Sequence, residues 1–248
     1  MKQINIDFNS KREYENFKNI IIYAKSKIKK ENYRKQRPII GSNLPNKNKI
    51  IFCIKDLLKI APHSKFVKMQ AIEDTQCKQL FKSQKKFVFF FLERKKQSKT
   101  LFWLNSFPIG PVVQLSIDSI SSSRNFYFLG NCKKWSLSIL SFDKNFTNKP
   151  HLNLIKKIFT EFFSSKRNNI KAEPFLDHVV SFCFYNSNIW IRIYQITISK
   201  NFNKNNLSRL ENLIEIGPRL NFNVSKIWSD LKKKNLIYNS KSFKTKLK

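Results

Sequence analysis

The sequence predicts an α/β fold made of two pseudo-symmetric half-domains that share a core, with mixed sheets and packed helices. Three observations carry this. The chain has only four glycines, yet two sit in near-copies of one signature, FPIGPVVQL at 107–115 and IEIGPRLNF at 214–222. Each copy follows a helical pattern and then two apolar, aromatic-rich runs, in that order. A tryptophan, Trp103 or Trp190, falls in the second run of each pair. Glycine tolerates the backbone angles of a tight turn, and proline enters a strand at its beginning or edge. The ordered match therefore reads as a duplication: helix, hairpin, Gly-Pro turn, last strand, twice.

Residues 1–36 are polar and basic and end in KSKIKKENYRKQ, a solvated tail. RPIIG at 37–41 suits a short strand. Ile50, Ile51, Ile54, Leu57 and Leu58 recur at helical spacing and predict a helix over 47–60, with Asn46 as N-cap and Pro62 just past the end. Residues 71–83 carry a less regular helical pattern. The runs at 86–92 and 100–105 flank a charged connection and predict a hairpin. VVQLSI then alternates as a third strand, Val113, Leu115 and Ile117 on one side and Val112, Gln114 and Ser116 on the other.

In the second half, Leu152, Ile155, Ile158, Phe159 and Phe162 form one stripe of a helix over 151–163. DHVVSFCFYNSNIWIRIYQITIS gives two strands around a turn at Asn186-Ser187-Asn188. Ile-Gly-Pro returns at 216–218, and RLNFNV alternates like a strand. The first half thus covers about 37–120 and the second about 121–228, with a basic C-terminal tail at 229–248.

A hydrophobic fraction of 41% with 24 Phe excludes a disordered chain. The longest apolar run, Phe87–Leu92, falls far short of the roughly 20 residues of a membrane helix. The first residues lack the apolar stretch of a signal peptide, so a soluble, intracellular protein with no membrane partner is expected. Cys53, Cys77, Cys132 and Cys183 are scattered, with no CxxC pair, and read as reduced thiols. The net charge of +32 points to a polyanion, most simply nucleic acid. Only nine of the 48 basic residues are Arg, which AT-rich codon usage also produces, but that bias does not explain a mere 16 acidic residues.

Catalytic patterns are thin. Four glycines leave no phosphate-binding loop, and no HExxH or GxSxG occurs. His63, His151 and His178 lie far apart. Asp177 beside His178 suits acid–base work or, more simply, a capped turn into a strand. SFDKNF at 141–146 suits an ordered loop. No enzyme activity, cofactor or metal is expected. The basic clusters say more: Arg94, Lys95 and Lys96 at the hairpin tip, Lys133 and Lys134 before Trp135, and DLKKKN at 230–235. Lysines beside aromatic rings clamp phosphates while rings stack on unpaired bases.

At this point a family resemblance emerges. DLLKIAPHSK (56–65), FFLERKK (90–96), FWLNSFPIGP (102–111), GNC (130–132), LSFDKNF (140–146), PHLNLIKKIFTEFF (150–163), KAEPFLDHVVSF (171–182), IWIRIYQI (189–196) and EIGPRL (215–220) run in the order of Brix-domain proteins. The chain resembles that family over roughly 33–228, most closely its ribosome-biogenesis factors of the large subunit. The resemblance implies a two-half fold related to the anticodon-binding domains of some aminoacyl-tRNA synthetases. It also implies a nucleolar, non-enzymatic assembly factor that binds precursor rRNA of the large subunit and pairs with another assembly protein.

Three blocks depart from the family. Trp135-Ser136-Leu137-Ser138 stands where a Gly-Ser-Arg-Pro stretch is usual, and Ser42-Asn43-Leu44-Pro45 where Ser-Ser-Arg-Gly is. SDLKKKNLIYN replaces an expected Gly-Gly, and the chain reads as trimmed at both ends. RNA contacts are expected at Arg94, Lys95, Lys96, Lys133, Lys134 and Arg219, with Arg219 alternatively tying its turn to a carboxylate or carbonyl. The rival readings are a relative serving small-subunit or 5S particle assembly and an RNA-processing enzyme.

Overall fold

The computed structural model describes residues 37–44, 49–69, 87–94, 100–125, 130–163, 176–198 and 211–240. The tail at 1–36, the N-cap Asn46, the helical pattern at 71–83, and Lys95 and Lys96 lie outside them. The first half runs β1 (Ile39–Ser42), α1 (Lys49–Ile60), β2 (Lys65–Lys68), β3 (Phe87–Arg94), β4 (Thr100–Phe107) and β5 (Val112–Ser121). A 3-10 turn at Ser123–Asn125 follows. The second runs β6 (Leu137–Phe142), α2 (Asn145–Asn148), α3 (Pro150–Phe163), β7 (Leu176–Tyr185), β8 (Asn188–Ile198), β9 (Glu211–Glu215), β10 (Arg219–Trp228) and β11 (Leu236–Asn239).

Among the described residues the strands make a single mixed sheet in the order β2-β1-β3-β4-β5-β10-β8-β7-β6, with β11 on β10 and β9 on β8. The mixed sheets expected of the two halves join edge to edge. They are continuous because β5 and β10 pair antiparallel along most of their length, Val112 opposite Trp228 and Ser121 opposite Arg219. Outward from that seam each side repeats one plan. β1 and β3 are parallel with α1 in the crossover, and β6 and β7 are parallel with α3 in theirs. A parallel pair needs such a crossover. Hairpins β3–β4 and β7–β8 follow. The tryptophans occupy matching places: Trp103 faces Gln114 and Trp190 faces Asn221, each partner three residues past its Gly-Pro.

The two Gly-Pro turns are alike locally and differ in use. Both Gly-Pro bonds are cis, and φ is +116° at Gly110 and +67° at Gly217, in the region that favours glycine. The first turn reverses the chain between β4 and β5. The second does not reverse it: β9 and β10 run along β8 in the same sense, and the turn is a kink between them. The first turn lies against chain that follows the second half, whereas the second lies against its own half. A Cβ on Gly110 would lie 2.5 Å from the Ser229 carbonyl just past β10, and Ile216 packs onto Gly130.

The main core lies on the helix side. Phe90 of β3 stacks on Phe162 of α3 at 3.9 Å, and Phe102 of β4 on Phe222 of β10 at 4.9 Å, so aromatic rings join the halves. A second, smaller cluster on the opposite face holds Ile39, Phe89, Phe91, Leu101 and Trp103, with Trp228 and Leu231 packed against it. Burial on both faces explains why β3 reads as an unbroken apolar run. In the second half the corresponding face is open, with Tyr185 67% and Ile139 40% exposed. β2, β6, β9 and β11 were not foreseen. β11 lies in the segment expected as a basic tail, where Leu236–Asn239 finds an edge on β10.

Candidate nucleic-acid interface

Lys133 and Lys134 sit in the loop entering β6, both exposed. That loop is tied down residue by residue. The Asn131 N–H donates to Gln195 Oε1 at 2.8 Å, the Cys132 N–H to Asn131 Oδ1 at 2.9 Å, and the Lys133 N–H to Asp177 Oδ2 at 2.7 Å. The Ser136 hydroxyl donates to the Lys133 carbonyl at 2.8 Å. The two lysines are therefore presented by an anchored turn, which lowers the entropy cost of holding a ligand there.

Helix α1 adds cations that the sequence reading missed. Its apolar stripe faces the core, which turns Lys55 and Lys59 outward, one helical turn apart. Between them Asp56, 5% exposed, accepts both the Ser123 N–H at 2.8 Å and the Ser123 hydroxyl at 2.7 Å. This pins the 3-10 turn so that the Arg124 guanidinium lies 4.5 Å from the Phe52 ring centre. The loop stands within electrostatic reach of α1. Burial pushes the Cys132 thiol up to about 11, Asp177 adds to the rise and Lys59 opposes it. Lys59 therefore stands near the loop that carries Lys133 and Lys134, and Asp56 ties the Arg124 turn to the same helix. The signal for Lys55 and Lys59 was the polar face of a helix from which only the apolar face was read; nothing local announced Arg124.

The other expected contacts fare differently. Arg94 ends β3 opposite Thr100 at the hairpin tip, and Lys95 and Lys96 lie outside the described residues. Arg219 is engaged within the protein. Its Nε and Nη2 donate to the two oxygens of Glu215 at 2.7 and 2.6 Å, across the Gly217-Pro218 kink. The hydrogen bond from Arg219 is the main cause holding the Glu215 carboxyl below its usual range, with Arg192 3.8 Å away helping. In DLKKKN, Lys232 and Lys234 are exposed, while Lys233 covers the Trp103 ring at 4.1 Å.

Asp177 and His178, the acid–base pair the sequence offered, do not face an open cleft together. Asp177 holds the loop amide, and His178 is 1% exposed, its pKa lowered by burial against the opposing pull of Asp177. A thiol held near 11 is a poor nucleophile at neutral pH.

The Brix domain family matches residues 44–226, most of the chain. The chain belongs to the Brix-domain family. Among its relatives, Ribosome biogenesis protein BRX1 homolog of Dictyostelium discoideum is 32% identical over 217 residues, 85% of this chain and 64% of that protein. Ribosome biogenesis protein BRX1 of Saccharomyces cerevisiae is 35% identical over 77% of this chain and 67% of its own length. The Homo sapiens homolog is 32% identical over 78% and 53%. The chain therefore spans about half to two thirds of the length of these curated relatives. A solved structure, the probable ribosomal biogenesis protein from Aeropyrum pernix K1, overlaps 76% of this chain and 96% of its own at 11% identity, with a TM-score of 0.45.

Within this Brix domain both altered loops show local structure of their own. Trp135, at the place expected for glycine, has φ +74°, a left-handed conformation that a bulky side chain rarely adopts. At the other altered block the Ser42 hydroxyl accepts the Leu44 N–H at 3.1 Å and closes that turn.

Proposed function

We propose that this protein is a ribosome-biogenesis factor that binds precursor rRNA of the large subunit through the surface formed by Lys55, Lys59, Arg124, Lys133 and Lys134. The observation that carries the proposal is that buried carboxylates anchor the segments presenting these cations, Asp56 the 3-10 turn beside α1 and Asp177 the loop at Lys133, in a chain of net charge +32. Its Brix membership and the names of its relatives, ribosome biogenesis proteins, supply the setting. Arg94, Lys95 and Lys96 at the hairpin tip form a second contact. Arg219 is left out, because its fork is spent on Glu215.

Lysines bind phosphate as point charges and specify no base, so this surface grips RNA by its backbone and releases counterions. The protein acts without catalysis. It holds RNA segments in a productive arrangement in the nucleolus, beside another assembly protein, until the particle matures. Crosslinking the protein to RNA in cells and sequencing the bound fragments tests this. Fragments clustered in the large-subunit precursor are expected. Clusters on small-subunit or 5S RNA would reassign the particle, and a diffuse spread over abundant RNA would sink the proposal.

A further inference from the structure

We propose that Cys132, Asp177 and His178 form a site for a divalent metal ion of the zinc type. Their ligand atoms all lie within 4.8 Å of one another. Cys132 Sγ is 3.5 Å from His178 Nδ1. A tetrahedral zinc ion, with bonds of about 2.3 Å to sulfur and about 2.0 Å to nitrogen, holds two such ligands about 3.5 Å apart. The sulfur and nitrogen therefore already stand at ligand spacing. Asp177 is fixed beside them through its Oδ2 bond to the Lys133 N–H. Thiolate, imidazole and carboxylate are a donor set that zinc accepts, and two negative ligands neutralise a dication in a half-buried place.

Protein hydrogen bonds alone satisfy this cluster poorly. His178 is 1% exposed, and Nδ1 has Cys132 Sγ at 3.5 Å and Ser136 Oγ at 3.3 Å as neighbours. The Ser136 proton is directed to the Lys133 carbonyl at 2.8 Å. In the tautomer with its proton on Nδ1 the ring donates to Ser136 Oγ; in the tautomer that a metal ion takes, Nδ1 otherwise has only a thiol, a weak donor. A metal ion bound at Nδ1 replaces that weak contact with a ligand bond. Cys132 is partly exposed, which gives an entry path. Nε2 has no partner among the described residues, and a zinc-binding histidine without a second-shell acceptor typically loses ten- to a hundredfold in affinity. The ion would join the loop to the start of β7, beside Lys133 and Lys134, whether or not those lysines touch RNA.

The test is titration of the chelator-stripped full chain with Co(II) and with Zn(II), on a background of Cys77→Ser and Cys183→Ser. One equivalent per chain is expected, with a sulfur-to-cobalt charge-transfer band that Zn(II) displaces. Cys132→Ser should abolish the band and weaken binding at least tenfold while the circular dichroism stays native. Zn(II) should also shield Cys132 from alkylation in the otherwise unaltered chain, a readout that does not depend on a variant folding. No stoichiometric binding, a band that survives Cys132→Ser, or alkylation indifferent to Zn(II) would each overturn the site.

Discussion

Arg219 shows how a charged side chain close to a candidate RNA surface is diverted to structure. Its two donors span the kink at Gly217-Pro218 and hold Glu215, which Arg192 also approaches. Arg219→Ala should cost about 1.5 kcal/mol in urea unfolding, the usual scale for hydrogen bonds to a charged group, and leave RNA affinity and its salt slope unchanged. An RNA defect without a stability loss would return Arg219 to the interface. Glu215 titrates below its unfolded value, so the pair stabilises at neutral pH, and that contribution is lost as acid protonates Glu215. Gly110 is the other residue with no substitute. At φ +116°, with the Ser229 carbonyl 2.5 Å from where a Cβ would sit, Gly110→Ala should lower stability by about 2 kcal/mol or more. An alanine variant that melts with the parent would mean the turn relaxes freely.

Helix α3 is the element that ties the halves together. Pro150 opens it at a position where a missing N–H costs nothing, and Phe159 and Phe162 reach Phe182 of the second half and Phe90 of the first. Near its start His151 stacks on Tyr238 of β11 at 4.6 Å, and burial drives its pKa down to about 4. The unfolded chain therefore binds a proton that the folded chain refuses between about pH 6.5 and 4. Stability from this group is complete above the upper value and falls as pH drops through that window. His151→Phe, which keeps a stacking ring but cannot titrate, should flatten the loss by about 2 kcal/mol between pH 7 and 4. Melting temperatures of both proteins across that range check it, and parallel pH curves would refute it.

For the molecule as a whole, the interface is a product of packing. α1 lies over the first half and the loop at 130–136 over the second. α1 and α3 cover the same face of one sheet, and the turn after α1 meets the end of α3 where His63 Nε2 contacts the Phe162 carbonyl at 2.9 Å. Converting Lys55, Lys59, Lys133 and Lys134 together to Glu changes four exposed side chains and leaves the core intact. RNA affinity should fall at least tenfold near physiological salt, and the plot of log affinity against log salt should flatten by roughly 0.9 for each phosphate no longer neutralised. An unchanged slope would move the RNA to another surface.

Much of this was legible in the chain. The helices over 49–60 and 150–163, both aromatic hairpins and the paired Gly-Pro turns follow from periods of 3.6 and 2 and from glycine and proline, which act through near neighbours. Lys133 and Lys134 were legible as a cluster for the same reason. Lys55 and Lys59 were written on the polar face of a predicted helix, but their importance depends on the neighbour that α1 acquires. Tertiary structure decided the rest. LSILSF and LIYN become β6 and β11 only because edges on β7 and β10 accept them. The second Gly-Pro became a kink because β9 found the same side of β8 as β10. Arg219 was claimed by Glu215, and Cys132 met His178 from 46 residues away. Local sequence sets backbone preference within a few residues, whereas strand partners, charge neighbours and ligand sets belong to contacts whose members lie far apart in the chain.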